Sequence, residues 1–452
     1  MTLAQPALDE SVELFLWRGD AGYEPARRSM WNWRVPPRYP DVIARPRRDE
    51  DVVAAVRLAR QRGLKIAIRS GGHSWAATFL RDGGMLIDFS RMTDFAIDAG
   101  AKTASLQPGL RGTDFNRALR PQNLFFPSGH CMTVGLGGFL LQGGFGWNSR
   151  LWGPACVSVR AVDVVTADGE LVHADVQQNS DLLWAARGAG PGFFGAVTRF
   201  EVDLQLRPKV MMRSDYLYPI EALDDVLRWV RSIQPSLSRA MECSVFVRRD
   251  MFGHPGPSAL VTGPVLAGSR DEAIAALAKL ETCPVLSKAR LRAVNILTEF
   301  DELLQGGEEL LYPRQRRYAA DNMWTSASAD ELLPGMRKIA TTLPRAPSHM
   351  MWMLWGPTQN LPDMAFSLQD DLYIALYSIW EDAAEDAAHQ AWVTDHMRGL
   401  EPFASGIQLA DENLAARPFR FLAAPNFTRL QALRAQYDPD GLFHSYMRPP
   451  AH

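Results

Sequence analysis

The chain has 452 residues, 47% hydrophobic and 22% charged, with a formal net charge of −3 and basic residues scattered along its length. That length exceeds a typical single core and points to two domains, and the balance is that of a globular protein, not a disordered or fibrous one. No basic patch is available for nucleic acid or an anionic membrane surface, so a small molecule is the expected partner.

The opening MTLAQPALDESVELF lacks a basic start followed by an apolar stretch, and no run of about 18 apolar residues follows. Neither a secretory signal nor a membrane span is expected, and the sequence reads as cytoplasmic. DEDVVAAVRLARQR, 49–62, carries apolar residues at helical spacing behind a group of acids, with Gly63 as its stop. A strand over KIAIRS follows, then another in GGMLIDFSRM, and VDVVTADGELVHA predicts a hairpin turning at Asp168 and Gly169. These short strands with glycine-rich connections are not the regular βα alternation of a doubly wound sheet.

Beyond about residue 206 the pattern changes. IEALDDVLRWVRSI predicts a helix, ECSVFVRR and ALVTGPVLA two neighbouring strands, and SRDEAIAALAKL a helix opened by a capping box of Ser269 and Glu272. HMMWMLWG and DDLYIALYSIW are further strands and AAHQAWVTDHM a further helix. Paired strands with helices between them predict an antiparallel sheet covered by helices. In HMMWMLWGP the two-residue period puts Met351, Met353 and Trp355 on one face and Met350, Trp352 and Leu354 on the other. Either one face lines an apolar pocket or both are buried.

Three glycine-rich stretches share the first 205 residues: RSGGHSWA, PSGHCMTVGLGGFLLQGGFGW and LLWAARGAGPGFFGAVTRFEV. The second is no Walker A loop, because no Lys-Ser or Lys-Thr follows, and it does not fit G-x-G-x-x-G. Any one of them alone reads equally as a set of tight turns. Glycine inside regular structure costs roughly 0.5 to 1 kcal/mol, so three in one domain favour backbone wrapped closely around a large cofactor. The four cysteines, Cys131, Cys156, Cys243 and Cys283, have neither C-x-x-C spacing nor the density of a disulfide framework, so any that matters acts singly. No metal is expected.

With RSGGHSW, GHCMTVGLGGFLLQGGFG, DLLWAARGAG and the C-terminal LRAQYDPDGLF in that order, the chain resembles the berberine-bridge-enzyme-like branch of the vanillyl-alcohol oxidase superfamily. The resemblance covers about the first 205 and the last 35 residues. It implies an α+β fold: a two-part FAD-binding domain of the PCMH type, 1–205 and 415–452, and a substrate domain, 206–414, with an antiparallel sheet covered by helices. The implied flavin contacts are Arg69, Ser70, Gly71, Gly72 and Ser74 in the first stretch, then Val134, Gly135, Gly137, Gly138, Gly143 and Gly144 in the second, with Val197 in the third.

The resemblance further implies a covalent bond from His73 to the 8α-methyl of FAD. In a subset of the branch a cysteine in G-x-C-x-T-V-G also adds to C6, and Cys131 holds that position, 58 residues from His73. Only a thiolate attacks, so the Cys131 pKa is expected to be lowered, by its surroundings or by the flavin. At Val134 the family's valine goes with oxidases and bulkier side chains with dehydrogenases. Phe139 stands where relatives often carry histidine.

The implied activity is oxidation of an alcohol, sugar-like or aromatic substrate by hydride transfer to flavin N5, then to dioxygen, giving hydrogen peroxide. A dehydrogenase using another acceptor, or a flavin-binding redox-responsive protein without turnover, are the alternatives. A side chain within roughly 3 Å of the substrate hydroxyl should take its proton. Relatives often use the tyrosine of an N-Y-x-D pattern, but this chain reads GIQLADENL there, with Gln408 and Leu409 in place of the Asn and Tyr. Two substitutes offer themselves. Tyr377 shares a predicted strand face with Tyr373, Ala375 and Ile379, and Tyr446 closes the chain in FHSYMRPP.

Overall fold

The acid-led segment near the start forms the helix Asp49–Arg62, and Gly63 ends it at φ +65°. In the computed structural model, residues 14–358 and 360–448 are described. The signal-free reading of 1–13 and the tail 449–452 of the closing segment lie outside the described residues. The helix delivers the chain into the strand Ile66–Arg69, one of four strands in a small sheet with Phe15–Trp17, Val42–Ala44 and Met85–Asp88. A second, five-stranded sheet contains the hairpin of Val159–Val165 and Leu171–Ala174, turning at Gly169 with φ +74°. Ala196–Asp203 lies beside it.

The end of the chain returns to the first sheet. After the helix Ala424–Tyr437, Ile66 N–H donates to Leu442 O and His444 N–H donates to Ile66 O, each at 2.7 Å. Phe443 thereby pairs with the first residue of the Ile66–Arg69 strand, nearly 380 positions earlier in sequence.

Between these two parts stands one antiparallel sheet of seven strands. Its order is Leu291–Leu297, Val210–Pro219, His254–Ala267, Ser244–Met251, His349–Leu354, Leu372–Trp380, Arg317–Thr325. The helices Leu223–Ile233, Arg270–Leu277, Ala329–Thr342 and Asp386–Leu400 bury the apolar side chains of one face, including Met350, Trp352 and Leu354. The opposite face carries Phe246, Met353, Tyr373, Ala375, Tyr377 and Ile379 into a separate cluster with Trp75. Both faces are covered, so all of Leu372–Trp380 is buried. A mixed helix and sheet architecture with helices on one side of an antiparallel sheet is the α+β arrangement expected from the sequence.

Two local expectations change. Ser269 Oγ accepts the Glu272 N–H at 3.2 Å, but Glu272 Oε2 reaches past Ser269 to accept the Gly268 N–H at 3.0 Å, leaving half of a capping box. The strands Val210–Pro219 and Arg317–Thr325 are absent from the sequence reading because charged and polar residues, Arg213 and Asp215 in one and Asp321 and Asn322 in the other, interrupt their apolar pattern. No helix among the described residues is long and apolar enough to cross a membrane.

Candidate active site

A cavity of about 700 Å³ lies where the glycine stretches, the C-terminal return and the open face of the sheet meet. Its glycine-rich wall is fixed by close approach of the loops, backbone on backbone at Gly71 and Gly135. A Cβ at Gly71 would stand 2.4 Å from Gly135 N, and one at Gly137 2.5 Å from Ser70 Oγ. No side chain fits at either place, so the loops bearing His73 and Cys131 are held in register by the lack of one. At Gly138 a Cβ would meet nothing within 4 Å, because the space beside it is open.

His73 stands at the end of the Ile66–Arg69 strand with its ring stacked on Trp31 at 4.7 Å. Its Nε2 lies 2.7 Å from Thr133 Oγ1, which leaves Nδ1 without a protein partner among the described residues. Burial pushes its pKa down to about 3, with Arg111 and Arg314 adding repulsion, so the imidazole is neutral. Cys131 also faces the cavity, but burial pushes its thiol up to about 12, and Glu308 and Asp411 oppose ionisation further. The surrounding protein therefore does not lower this pKa; it raises it. Cys156, Cys243 and Cys283 are buried, free thiols.

Arg69, Ser70, Gly71, Gly72, Ser74, Val134, Gly135, Gly137, Gly138, Gly144 and Val197 also line the cavity. Arg69 is committed elsewhere: its Nη2 donates to Asp88 Oδ2 and to Ala26 O, each at 2.7 Å. It shapes the wall from behind. Gly143 stands outside the lining, with φ +101° and a would-be Cβ 2.9 Å from the Phe366 ring.

Facing the glycine loops, the Leu372–Trp380 strand presents Tyr373 and Tyr377 to the cavity. Both hydroxyls donate to Asp411 Oδ2, at 2.5 and 2.7 Å, and Trp75 Nε1–H donates to Asp411 Oδ1 at 2.5 Å. Burial raises the Asp411 pKa while the donors from Tyr373, Tyr377 and Trp75 pull it back. Burial and the Asp411 charge raise both tyrosines well above their usual value, so neither is a phenolate at rest. Tyr312 meets the Tyr377 ring edge-on at 5.2 Å, and His349 stacks on it at 4.9 Å.

The departure from N-Y-x-D has a structural role. Gln408 Oε1 accepts the Ala410 and Asp411 N–H groups, capping the turn that aims Asp411. Asn322 clamps the same turn: its Nδ2 donates to Gln408 O at 3.0 Å and Asp411 O at 2.8 Å, and its Oδ1 accepts the Gln408 N–H. Leu409 is buried and packs by Gly190. Asp411 is the last position of the pattern, and the hydroxyls that reach it come from Tyr373 and Tyr377 of the Leu372–Trp380 strand. Sequence reading passed over Asp411; its place as the fourth residue of that pattern was the available signal. Tyr446 does not line the cavity. Its hydroxyl donates to Ala189 O at 2.6 Å while its ring covers Gly192 and packs on Phe421.

The remaining wall on the sheet side is largely apolar, with Phe145, Phe246, Leu260, Trp324, Met351, Met353 and Trp355. Phe139 lines the glycine side and fills the space over Gly129 and Gly144. Among the described residues no group of three or more His, Cys, Asp or Glu is placed to hold a metal.

Residues 40–175 match the FAD binding domain family. The FAD-linked oxidoreductase penO of Penicillium crustosum is 35% identical over 439 residues, covering 95% of each chain. Among solved structures, 6-hydroxy-D-nicotine oxidase from Arthrobacter nicotinovorans superposes with a TM-score of 0.85 at 23% identity, over 99% of this chain and 100% of that one. The BBE-like 1 protein of Physcomitrella patens gives 0.84 at 20% identity, over 97% of each.

Proposed function

The chain belongs to the FAD-linked oxidoreductases, and from that premise we propose a member of the berberine-bridge-enzyme-like branch of the vanillyl-alcohol oxidase superfamily, an oxidase with FAD attached through His73 and Cys131. It takes an alcohol, sugar-like or aromatic substrate and uses dioxygen as acceptor, releasing hydrogen peroxide. Residues 14–205 and 415–448 hold the cofactor in this reading, and 206–414 shape the substrate pocket.

The observation that carries the proposal is that one cavity is walled by His73 and Cys131 on one side and by the Asp411, Tyr373 and Tyr377 cluster on the other. The residues present fit a flavin. Gly138 leaves its wall open and uncrowded, and His73 is neutral with a free nitrogen, as attachment to a methyl carbon needs. Bound FAD supplies the two-electron acceptor. Cys131 must ionise before it can bond, and since its neighbours oppose this, the driving force has to come from the flavin itself.

The protein's own part in turnover is orientation and proton movement. The substrate hydroxyl passes its proton to a tyrosine oxygen while the tyrosine's own proton moves to Asp411. Tyr377 and Tyr373 act as relays and Asp411 as the final base, because only the carboxylate is accessible as an anion. Val134, on the cavity wall, leaves room for dioxygen. Loss of two electrons and two protons turns the alcohol into a carbonyl, and dioxygen leaves with both as hydrogen peroxide.

The test begins with mass spectrometry of the denatured protein and its tryptic peptides. A single FAD-bearing species joining the His73 and Cys131 peptides is expected. Flavin on neither peptide, in protein produced with ample FAD, would sink the covalent assignment. Oxygen uptake matched mole for mole by peroxide with a turnover substrate supports the oxidase; slow aerobic reoxidation with fast reduction of an added quinone would make it a dehydrogenase.

A further inference from the structure

Cavity-facing positions run in a row across five neighbouring strands. Backbone pairing sets Asp215 opposite Thr262, Thr262 opposite Ser244, Ser244 opposite Met353, and Met353 opposite Tyr373. All five line the cavity. The row is polar at one end and apolar or aromatic at the other. In the adjoining row Arg213 pairs with Pro264, whose carbonyl accepts the Glu242 N–H, and these residues line the same corner. Past them the wall turns apolar, with Leu260, Phe246 and Met351.

The corner is built and buried, and its capacity is not used up. Asp215 is 6% exposed and accepts Thr262 Oγ1–H at 2.6 Å and Arg213 Nη1–H at 2.7 Å. Glu242, 4% exposed, pairs with His130 Nε2 at 2.8 Å and accepts the Asn148 N–H at 2.6 Å. Ser244 is also 6% exposed, yet its hydroxyl has no hydrogen-bond partner among the described residues. The Ser244 side chain is thus more than nine-tenths buried and opens only to the cavity, where a ligand can complete its bonding.

Strands lie about 4.8 Å apart, so the corner stands roughly 10 Å from the Tyr373 strand at Ser244 and farther at Asp215. Between them the wall offers only Met353 and its apolar neighbours. We propose that the corner of Asp215, Thr262, Ser244 and Glu242 is a second recognition subsite, anchoring a hydrogen-bond-donating end of an elongated, otherwise apolar substrate whose reacting carbon lies at Tyr373 and Tyr377. The donor is an O–H or an ammonium N–H, since carboxylate oxygens dominate the corner and Arg213 is already bonded to Asp215. This inference rests on the oxidase reading for the location of the reacting end, not for the corner itself.

Three probes with the same rigid body test it by calorimetry on the holoenzyme: biphenyl-4-methanol, biphenyl-4,4′-dimethanol and 4′-(aminomethyl)biphenyl-4-methanol. A buried hydrogen bond to a charged group predicts that a distal donor tightens binding about tenfold or more. In S244A and in D215N the ratio of affinities with and without the distal group should fall toward one. Tightening by both distal groups assigns a hydroxyl-type site, and tightening by the amine alone an ammonium site. No tightening by either, a ratio that survives both variants, or no binding by any probe would overturn the subsite. Flavin retention and melting temperature check that each variant is folded. Binding needs no turnover, so retained distal preference without oxidation would sink the oxidase reading alone, and turnover without distal preference the subsite alone.

Discussion

On the side of His73 and Cys131 the cavity wall is built on closely packed glycines: Gly71 against the backbone of Gly135, Gly137 against the side chains of Ser70 and Pro108. On the side of Tyr373 and Tyr377 it is side chains, set at alternate positions of a sheet whose other face is sealed by helices. The first side is least tolerant at Gly71 and Gly135, where a Cβ on either would meet the other's main chain. The second keeps its geometry whatever its side chains are, since strand pairing is made by the backbone. A cofactor common to many relatives suits the first kind of wall, and a substrate peculiar to one chain suits the second.

The largest effect should come from the sheet side's one fixed device. D411N removes the final base while keeping the shape of the side chain, and kcat should fall by about 10²- to 10⁴-fold with flavin content unchanged. Y377F and Y373F should each cost less, because the other tyrosine still bonds Asp411 Oδ2. Burial raises the Asp411 pKa, and activity needs the carboxylate, so kcat should rise with pH through a midpoint above the ordinary carboxylate value of 3.8. That acid limb should vanish in the residual activity of D411N. Near-normal turnover in D411N would place the base elsewhere.

G71A sharpens the contrast from the other side. Its Cβ would sit 2.4 Å from a backbone nitrogen that has no room to move. Overpacking of this kind costs about 1 to 3 kcal/mol, and here it would also separate the two attachment loops. A lowered melting temperature together with loss of covalent flavin, read from the absorbance of acid-precipitated protein, is the expected pair of results. M351A, on the sheet side, should keep its flavin and change KM instead. If G71A loads flavin normally, the backbone-to-backbone wall is less exacting than the contact implies.

Tyr446 gives a smaller effect. Its hydroxyl satisfies the buried Ala189 carbonyl from outside the cavity. Y446F should therefore lower stability by about 1 to 3 kcal/mol, the cost of leaving that acceptor unpaired, with kcat unaltered. A large loss of kcat with normal stability would return Tyr446 to the chemistry.

The same contrast explains what could be read from the sequence. The wall made of backbone is written in glycines at fixed spacing, so RSGGHSW and TVGLGG announce it, and a hydrophobic period of two was enough to place Tyr373, Ala375, Tyr377 and Ile379 on one face. The sheet order was not legible, because strands such as Val210–Pro219 carry the polar residues of the cavity corner and so lose the apolar pattern that marks a strand. Asp411 was passed over for a related reason. Its role comes from three donors contributed by residues 75, 373 and 377, none of which is near it in sequence.

ADENL makes that limit concrete, since it sets two acids side by side with opposite fates. Asp411 turns to the cavity and receives Trp75, Tyr373 and Tyr377, while Glu412 turns away and among the described residues accepts only the Leu414 N–H at 2.5 Å, with no partner there for its buried Oε1. Burial pushes the Glu412 pKa up to about 7, with Asp321 adding repulsion against the weaker pull of Arg81 and Arg38. A carboxyl raised on folding favours the native state fully below its unfolded pKa, near 4.5, and that advantage is lost as pH rises through about 7. E412Q removes the charge and keeps the acceptor for Leu414. Its melting temperature should exceed the parent's at pH 8 and match it near pH 4, with kcat the same at both. An equal shift at the two pH values would mean that packing, not ionisation, governs this position, and that the acid next to the proposed base is not held neutral by its burial.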